Sequence, residues 1–233
     1  MIKFQKLASA LLSGSIKGHF GQWGEDILVR KLFPRSRVSG RYLDIGCYHP
    51  FTHSNTAYLW LKGWQGYNID ANPQTIKLFE KIRPLDENIW SAIVPRSQYE
   101  AGVRQVSLLT PEVADSTSGI SATGTVHPGV GLERRHEKTV SVPATSIYAL
   151  LAARNIGVID YLNIDIEGYD EMILQEIDLT ALSPTVVTIE DYSEDFFQLL
   201  SSNISRRMAE QGYGLAGRAG PTSVFLKRAT EGP

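Results

Sequence analysis

Apolar positions along this chain change period repeatedly. Short β-prone runs alternate with stretches where apolar residues recur at helical spacing, the order of a parallel sheet with crossover helices. Ile27, Leu28, Leu32 and Phe33 predict a helix over 22–33, ended by Pro34. Arg41 to Gly46 reads as a strand closing on glycine, and Ser54-Asn55-Thr56 offers N-cap chemistry to a helix over 57–62. Gly63-Trp64-Gln65-Gly66 reads as a turn into a strand over 67–70. Pro73 then opens a helix through Ile76, Leu78, Phe79 and Ile82 that stops at Arg83-Pro84. A third strand is expected over 88–94.

Residues 95–138 are the least regular part, with a strand expected over 103–109 and an insertion or lid after it. Order returns with a strand over 139–142, a helix over 147–154, a strand over 159–165 and a helix containing Met172, Ile173 and Leu174. A strand over 184–190 and a helix over about 195–211 follow. Short strands over 213–216 and 223–227 flank the turn-rich Gly217 to Pro221 and predict a terminal β-hairpin. The whole is read as a single α/β domain: a doubly wound, mostly parallel Rossmann-like sheet with a C-terminal antiparallel hairpin. It spans 21–233 behind an N-terminal extension, 1–20.

Composition narrows the partners. With 42% hydrophobic and 21% charged residues, the 233-residue chain has ample apolar surface for one core. A net charge of −2, with no Lys/Arg run longer than a pair, argues against nucleic acid. Cys47 is the single cysteine, so an internal disulfide and a thiolate zinc site are excluded. No stretch reaches the ~20 apolar residues that span a bilayer, which argues against membrane insertion. Met1 to Ser15 faintly imitates a secretory leader, but its apolar core is short and interrupted. Cytoplasm is the expected location.

The chemistry gathers at strand ends. Asp44-Ile45-Gly46 closes the first strand, and Asp70, 24 residues beyond Gly46, closes the second. In open α/β sheets ligands occupy the crevice beyond the strand carboxyl ends, where an acid on the second strand accepts ribose hydroxyls. Gly46 is expected to let backbone approach the ligand. The loop Gly46-Cys47-Tyr48-His49-Pro50 lacks the further glycines that seat a pyrophosphate, which disfavours NAD. A sulfonium cofactor carries no phosphate and suits an acidic site better.

Several separated motifs together resemble the FkbM family of methyltransferases. They are Gly21-Gln22-Trp23-Gly24-Glu25-Asp26, Tyr42-Leu43-Asp44-Ile45-Gly46, Ser54-Asn55-Thr56, Gly63-Trp64-Gln65-Gly66 and Asn68-Ile69-Asp70-Ala71-Asn72-Pro73. Asn163 to Asp170 and Pro184 to Glu190 resemble the family's later strand ends. The likeness covers about residues 20–228 and is weakest over 95–138. It implies a seven-stranded class I fold, S-adenosylmethionine as cofactor, and O-methylation of a hydroxyl on a sugar, glycan or secondary metabolite. By this resemblance Asp44 and Gly46 line the methionine end, Asp70 the ribose, and Ser91 with Ala92 the adenine edge. Asp165 faces the reactive methyl, and Gln22, Glu25, Cys47, Asn55 and Ala71 complete the surroundings, capping being an equal alternative for Glu25. The loop departs from the family pattern at Cys47-Tyr48-His49-Pro50.

A hydroxyl acceptor must lose its proton. Asp165, Glu167 and His49 are the candidate bases, with holding the turn after Asp165 an equal alternative for Glu167. A divalent cation between Asp165 and Glu190 is the lesser alternative. His49, His53, His127 and His136 show no metal-ligand spacing. Trp23, Trp60, Trp64 and Trp90 are expected in core or rim packing. Two other classes stay open at this point: an NAD-dependent oxidoreductase, and a non-catalytic binding protein that keeps the fold.

Overall fold

The computed structural model describes residues 18–111, 137–166 and 168–229. The leader-like segment 1–17, most of the expected lid, and Glu167 lie outside them.

The chain begins with α1 (Glu25–Leu32), β1 (Arg41–Ile45), α2 (Ala57–Leu61), β2 (Gln65–Asp70), α3 (Pro73–Ile82) and β3 (Glu87–Trp90). A second group follows: β4 (Ala92–Ile93), α4 (Arg96–Glu100), β5 (Gln105–Pro111) and β6 (Glu137–Thr145). The remainder is α5 (Ile147–Ala153), β7 (Tyr161–Ile164), α6 (Asp170–Glu176), α7 (Leu179–Leu182), β8 (Val186–Glu190), α8 (Phe196–Ser201), α9 (Asn203–Glu210), β9 (Tyr213–Ala219) and β10 (Thr222–Lys227).

Seven strands form one sheet in the order β3-β2-β1-β7-β8-β10-β9. The first five pair in parallel, and β10 lies antiparallel to both β8 and β9. Chain order reverses direction at β1, so the crevice beyond the carboxyl ends of β1, β2 and β7 is the place where such sheets take ligands. A smaller sheet, β4-β6-β5, is built from the end of the run read as 88–94 and from the strands expected over 103–109 and 139–142.

Alternation sorts the residues of the central strands between two faces. Leu43, Ile45, Leu162, Ile164, Val187 and Ile189 point into the larger core, closed by Ile147, Ile173, Leu179 and Met208 from α5, α6, α7 and α9. Tyr42, Tyr161, Val186 and Val224 point the other way, against Val29 of α1, Leu59 of α2, and Phe33 and Trp64. That second face also carries a polar row in register: Asn88, Asn68, Asp44, Asn163 and Thr188 stand side by side across five strands.

Three expectations change. The run 88–94 is two strands, because Ser91 turns the chain out of the main sheet. Its N–H donates to Asp70 O (3.0 Å), and its hydroxyl bonds the carbonyls of Ala92 and Pro143 (both 3.1 Å). The helix expected over 195–211 breaks at Ser202, extended at φ −63°, ψ 156°, whose hydroxyl accepts from Ser205 N and starts α9. The Gly63–Gly66 turn is shorter than read, since Gln65 and Gly66 already belong to β2.

Candidate functional site

The strand tips converge. Asp70 ends β2, and its two carboxylate oxygens accept from Tyr48 N (2.9 Å) and Asn72 N (2.7 Å), tying the loop after β1 to the loop after β2. Burial pushes its pKa up to about 6, against the pull of those two amides. Ile69 O accepts from Gly46 N and Cys47 N, and Asp165 N donates to Ile45 O (2.9 Å). The backbone of Asp165 therefore lies directly against the end of β1.

Gly46 is also required by that contact. Its φ is +84°, and a Cβ there would fall 1.7 Å from Asp165 O, where two parallel strand ends touch.

Beneath the tips lies a buried hydrogen-bond network. Asp44, 1% exposed, accepts from Thr56 Oγ1 (2.7 Å) and Asn163 Nδ2 (2.9 Å), and burial raises its pKa. Asn163 Oδ1 accepts from Asn55 Nδ2 (3.1 Å) and Thr188 Oγ1 (2.7 Å). Thr56 accepts in turn from Arg83 Nη1 (2.9 Å), a fully buried guanidinium that also donates to Tyr42 Oη, Ser54 Oγ and Pro50 O. Tyr42 Oη donates to Asp86, which accepts as well from Gly66 N and Asn68 Nδ2. The Ser-Asn-Thr motif thus caps only in part: Ser54 Oγ accepts from Ala57 N (3.1 Å), while Thr56 and Asn55 join this network. Arg83, Asn163 and Thr188 were not singled out from the sequence. For Asn163 and Thr188 the available signal was a polar residue at a strand position that alternation assigns to the interior.

The other expected residues divide. Glu25 is buried and accepts from Gln22 N (3.0 Å) and Trp23 N (2.8 Å), holding the turn ahead of α1. Gln22 is exposed at the same turn. Cys47 packs its thiol beside Ile76 and Phe79 of α3, and burial raises its pKa. Ser91 bonds two carbonyls, as above, and Ala92 is half-buried beside it. Ala71 O accepts from Trp90 Nε1 (2.9 Å), so the half-exposed Trp90 ring stands at the β2–β3 edge. Trp64 is core, while Trp23 is exposed.

Among the candidate bases, His49 Nδ1 accepts from Phe51 N (3.0 Å) and Thr52 N (2.9 Å). Burial lowers its pKa, with Arg83 and His53 adding to the effect. With Nδ1 accepting both amides, the neutral ring carries its proton on Nε2. The turn after Asp165 is held by Asp170, which accepts from Ile166 N and Gly168 N (both 3.0 Å). Asp165 itself is half-buried at the β7 tip. Glu190 ends the neighbouring strand and accepts from Tyr192 Oη. Among the described residues no group of three or more His, Cys, Asp or Glu is placed to hold a metal ion. Nor is any helix there long and apolar enough to cross a membrane.

The strand order and the terminal antiparallel pair define a class I methyltransferase architecture. Residues 44–215 match the methyltransferase FkbM domain, and the chain belongs to that family. It is an S-adenosylmethionine-dependent methyltransferase. A search among curated proteins gives no match. Among solved structures, a TehB-like SAM-dependent methyltransferase from Corynebacterium glutamicum is similar at 15% identity, over 97% of this chain and 96% of that one, with a TM-score of 0.39. That likeness carries no argument.

The residues fit the cofactor. Asp70 has acceptor capacity beyond its two amides, and Asn55 Oδ1 is buried with no hydrogen-bond partner, facing Gly21. Both suit a ligand rich in hydroxyl and amine donors.

Proposed function

We propose that the enzyme methylates a hydroxyl of a sugar, glycan or secondary metabolite, holding the cofactor ribose on Asp70 and bringing the acceptor to Asp165. The observation that carries this reading is the joining of the loops after β1 and β2 through the Asp70 carboxylate, with the Asp165 backbone packed on the same strand end. When bound, the cofactor supplies a methyl group already activated by positive sulfur. The chain's own task is alignment and proton removal. Asp165 stands at the tip beside the switch point, and a half-buried carboxylate there is suited to take the acceptor proton. Asn55 and Ala71 flank the cofactor in this reading, and Trp90 borders the adenine edge. Asp44 acts from below by fixing Thr56 and Asn163.

The test combines two measurements. Titration with S-adenosylhomocysteine and with NAD is expected to give binding of the first alone. Asp165→Asn is expected to lower kcat for methyl transfer from labelled cofactor by about 10²–10⁴, with cofactor affinity held within about threefold. Unchanged kcat removes Asp165 as base.

A further inference from the structure

The edge of the sheet opposite the ligand crevice carries exposed aliphatic side chains among cations. Val38 ahead of β1, Leu61 ahead of β2, Leu85 ahead of β3 and Val158 ahead of β7 are 64%, 56%, 78% and 68% exposed. These strands run parallel, so all four residues stand at their amino ends. They are also neighbours. Gly63 and Gln65 are shared by two open clefts, one of about 270 Å³ completed by Ser39, Gly40 and Arg41, the other of about 240 Å³ completed by Trp60, Trp64, Pro84 and Leu85. Val38 O lies 3.2 Å from the place of a Gly63 Cβ, and Gln65 N donates to Gly40 O (3.2 Å). Val158 joins through Asp160, which accepts from Arg41 N (2.8 Å) and pairs with Arg37. One exposed aliphatic is ordinary, whereas four around one strand edge form a patch.

Charge selects the occupant. From Ile27 to Ile69 the sequence holds six cations, Arg30, Lys31, Arg35, Arg37, Arg41 and Lys62, against one acid, Asp44, which is buried in the network under the opposite edge. Arg41 lines the first cleft, Lys62 adjoins Gly63, and Arg35 and Arg37 lie in the loop that carries Val38. The acids of this edge are answered: Asp160 by Arg37, Glu87 by Arg154 (2.7 Å), while Asp86 is buried against Tyr42 and Asn68. In the last turn of α3, Lys81 offsets Glu80. Arg35, Arg41 and Lys62, all exposed, therefore give the patch a positive field. Cations interleaved with aliphatic tips match a phospholipid surface, where the charges meet anionic headgroups and the tips reach the acyl boundary. A nucleic acid would use the cations and leave the aliphatics in water, because bases stack on rings, and Trp60 and Trp64 are packed into the core cluster here.

We infer that the amino edge of the sheet rests on an anionic phospholipid membrane, lying on it rather than entering it, with the cofactor crevice turned away toward water. The inference does not depend on which hydroxyl is methylated. The whole chain is to be floated with vesicles of phosphatidylcholine carrying about one third phosphatidylglycerol, and with vesicles of phosphatidylcholine alone. Binding to the anionic vesicles is expected to be at least about tenfold stronger and to weaken as salt is raised. The triple variant Arg35→Gln, Arg41→Gln, Lys62→Gln is expected to lower that binding by about thirtyfold or more. The double variant Leu61→Ser, Leu85→Ser, which keeps every charge, is expected to lower it by about tenfold. All five side chains are exposed, so both variants should fold and keep wild-type S-adenosylhomocysteine affinity. Absence of binding to the anionic vesicles overturns the inference, as does equal binding to phosphatidylcholine alone. Binding that survives both variants overturns it too and assigns the membrane contact to another part of the chain. A DNA duplex bound by wild type, lost by the charge variant and kept by the leucine variant would assign the edge to nucleic acid instead. A concentration-dependent dimer that the leucine variant dissolves, without vesicle binding, would assign it to a second copy of the chain.

Discussion

Asp70 joins two demands that oppose each other. Its burial favours the neutral acid, with a pKa of about 6, whereas a ribose hydroxyl pair favours the carboxylate. For a raised acid the sign is definite. Its contribution to stability is full below the unfolded value of 3.8, is lost as pH rises through about 6, and is a cost at neutral pH. Asp70→Asn removes that cost, up to about 3 kcal/mol, but sets an amide NH2 against Tyr48 N or Asn72 N, so the thermal midpoint of the ligand-free protein at pH 7.5 should change little. The same change should weaken S-adenosylhomocysteine binding by roughly ten- to a hundredfold. Wild-type affinity should fall as pH drops from 7 toward 5, with proton release on binding visible by calorimetry in buffers of different ionisation enthalpy. A pH-independent affinity over that range would disprove the coupling. Gly46 gives the opposite kind of residue-scale prediction. With a Cβ 1.7 Å from a backbone oxygen and φ at +84°, Gly46→Ala cannot be absorbed by moving a side chain. A loss of more than about 4 kcal/mol is expected, on the order of 10 °C in thermal midpoint.

At the scale of elements, most of the sheet is legible because period and punctuation agree. Pro73 at the start of α3, Asn72 accepting from Gln74 N, and Ser146 accepting from Ala149 N are local signals that folding leaves in place. The split of 88–94 was not legible, since a β-prone run carries no mark of which sheet each half will join. The break at Ser202 has the same origin. Its hydroxyl donates to Asp191 Oδ2 (2.7 Å), a partner 11 residues away that no local pattern names. Within the site, Asp44, Asp70 and Asp165 were readable from their places after β-prone runs. Arg83 was not, because in sequence it stands only as the stop of α3. In the fold its guanidinium links that stop to Tyr42 of β1 and to the 50–56 loop before α2. Arg83→Met leaves Tyr42, Thr56, Ser54 and the Pro50 carbonyl rearranged around an uncharged chain. A destabilisation of about 3–5 kcal/mol by chemical denaturation is therefore expected. Arg83→Lys, which keeps the charge but not the fork, should recover part of it. Equal stability of wild type and Arg83→Met would show that the network is not cooperative.

At the scale of the molecule, the segment ahead of α1 and the terminal hairpin meet beside the buried network under β1 and β7. Phe20 O accepts from Ser54 N (3.1 Å), and Asp26 accepts from Phe20 N and Gly21 N (both 3.3 Å), so residues 20–24 form a strap anchored by the acids of α1. One side of the strap faces Asn55, through Gly21, and so borders the network under β1 and β7. The other side reaches the terminal hairpin, where Trp23 covers Gly220 so closely that a Cβ would lie 2.5 Å from Trp23 Cγ. Gly220 also has φ +57°, which a side chain adopts at a cost of ~1 kcal/mol. The hairpin that completes the sheet therefore also seats the strap. Gly220→Ala should lift Trp23 while β9 and β10 stay paired, because their ladder runs through backbone on either side of the turn. Chymotrypsin cleavage at Phe20 and Trp23 should quicken, and S-adenosylhomocysteine affinity should fall several-fold. The thermal midpoint should drop by only about 2–4 °C, as a ~1 kcal/mol local strain implies for a chain of this size. Affinity that holds while cleavage quickens would mean that the strap is a surface tie. In that case Asn55 would keep its place through Asn163 alone.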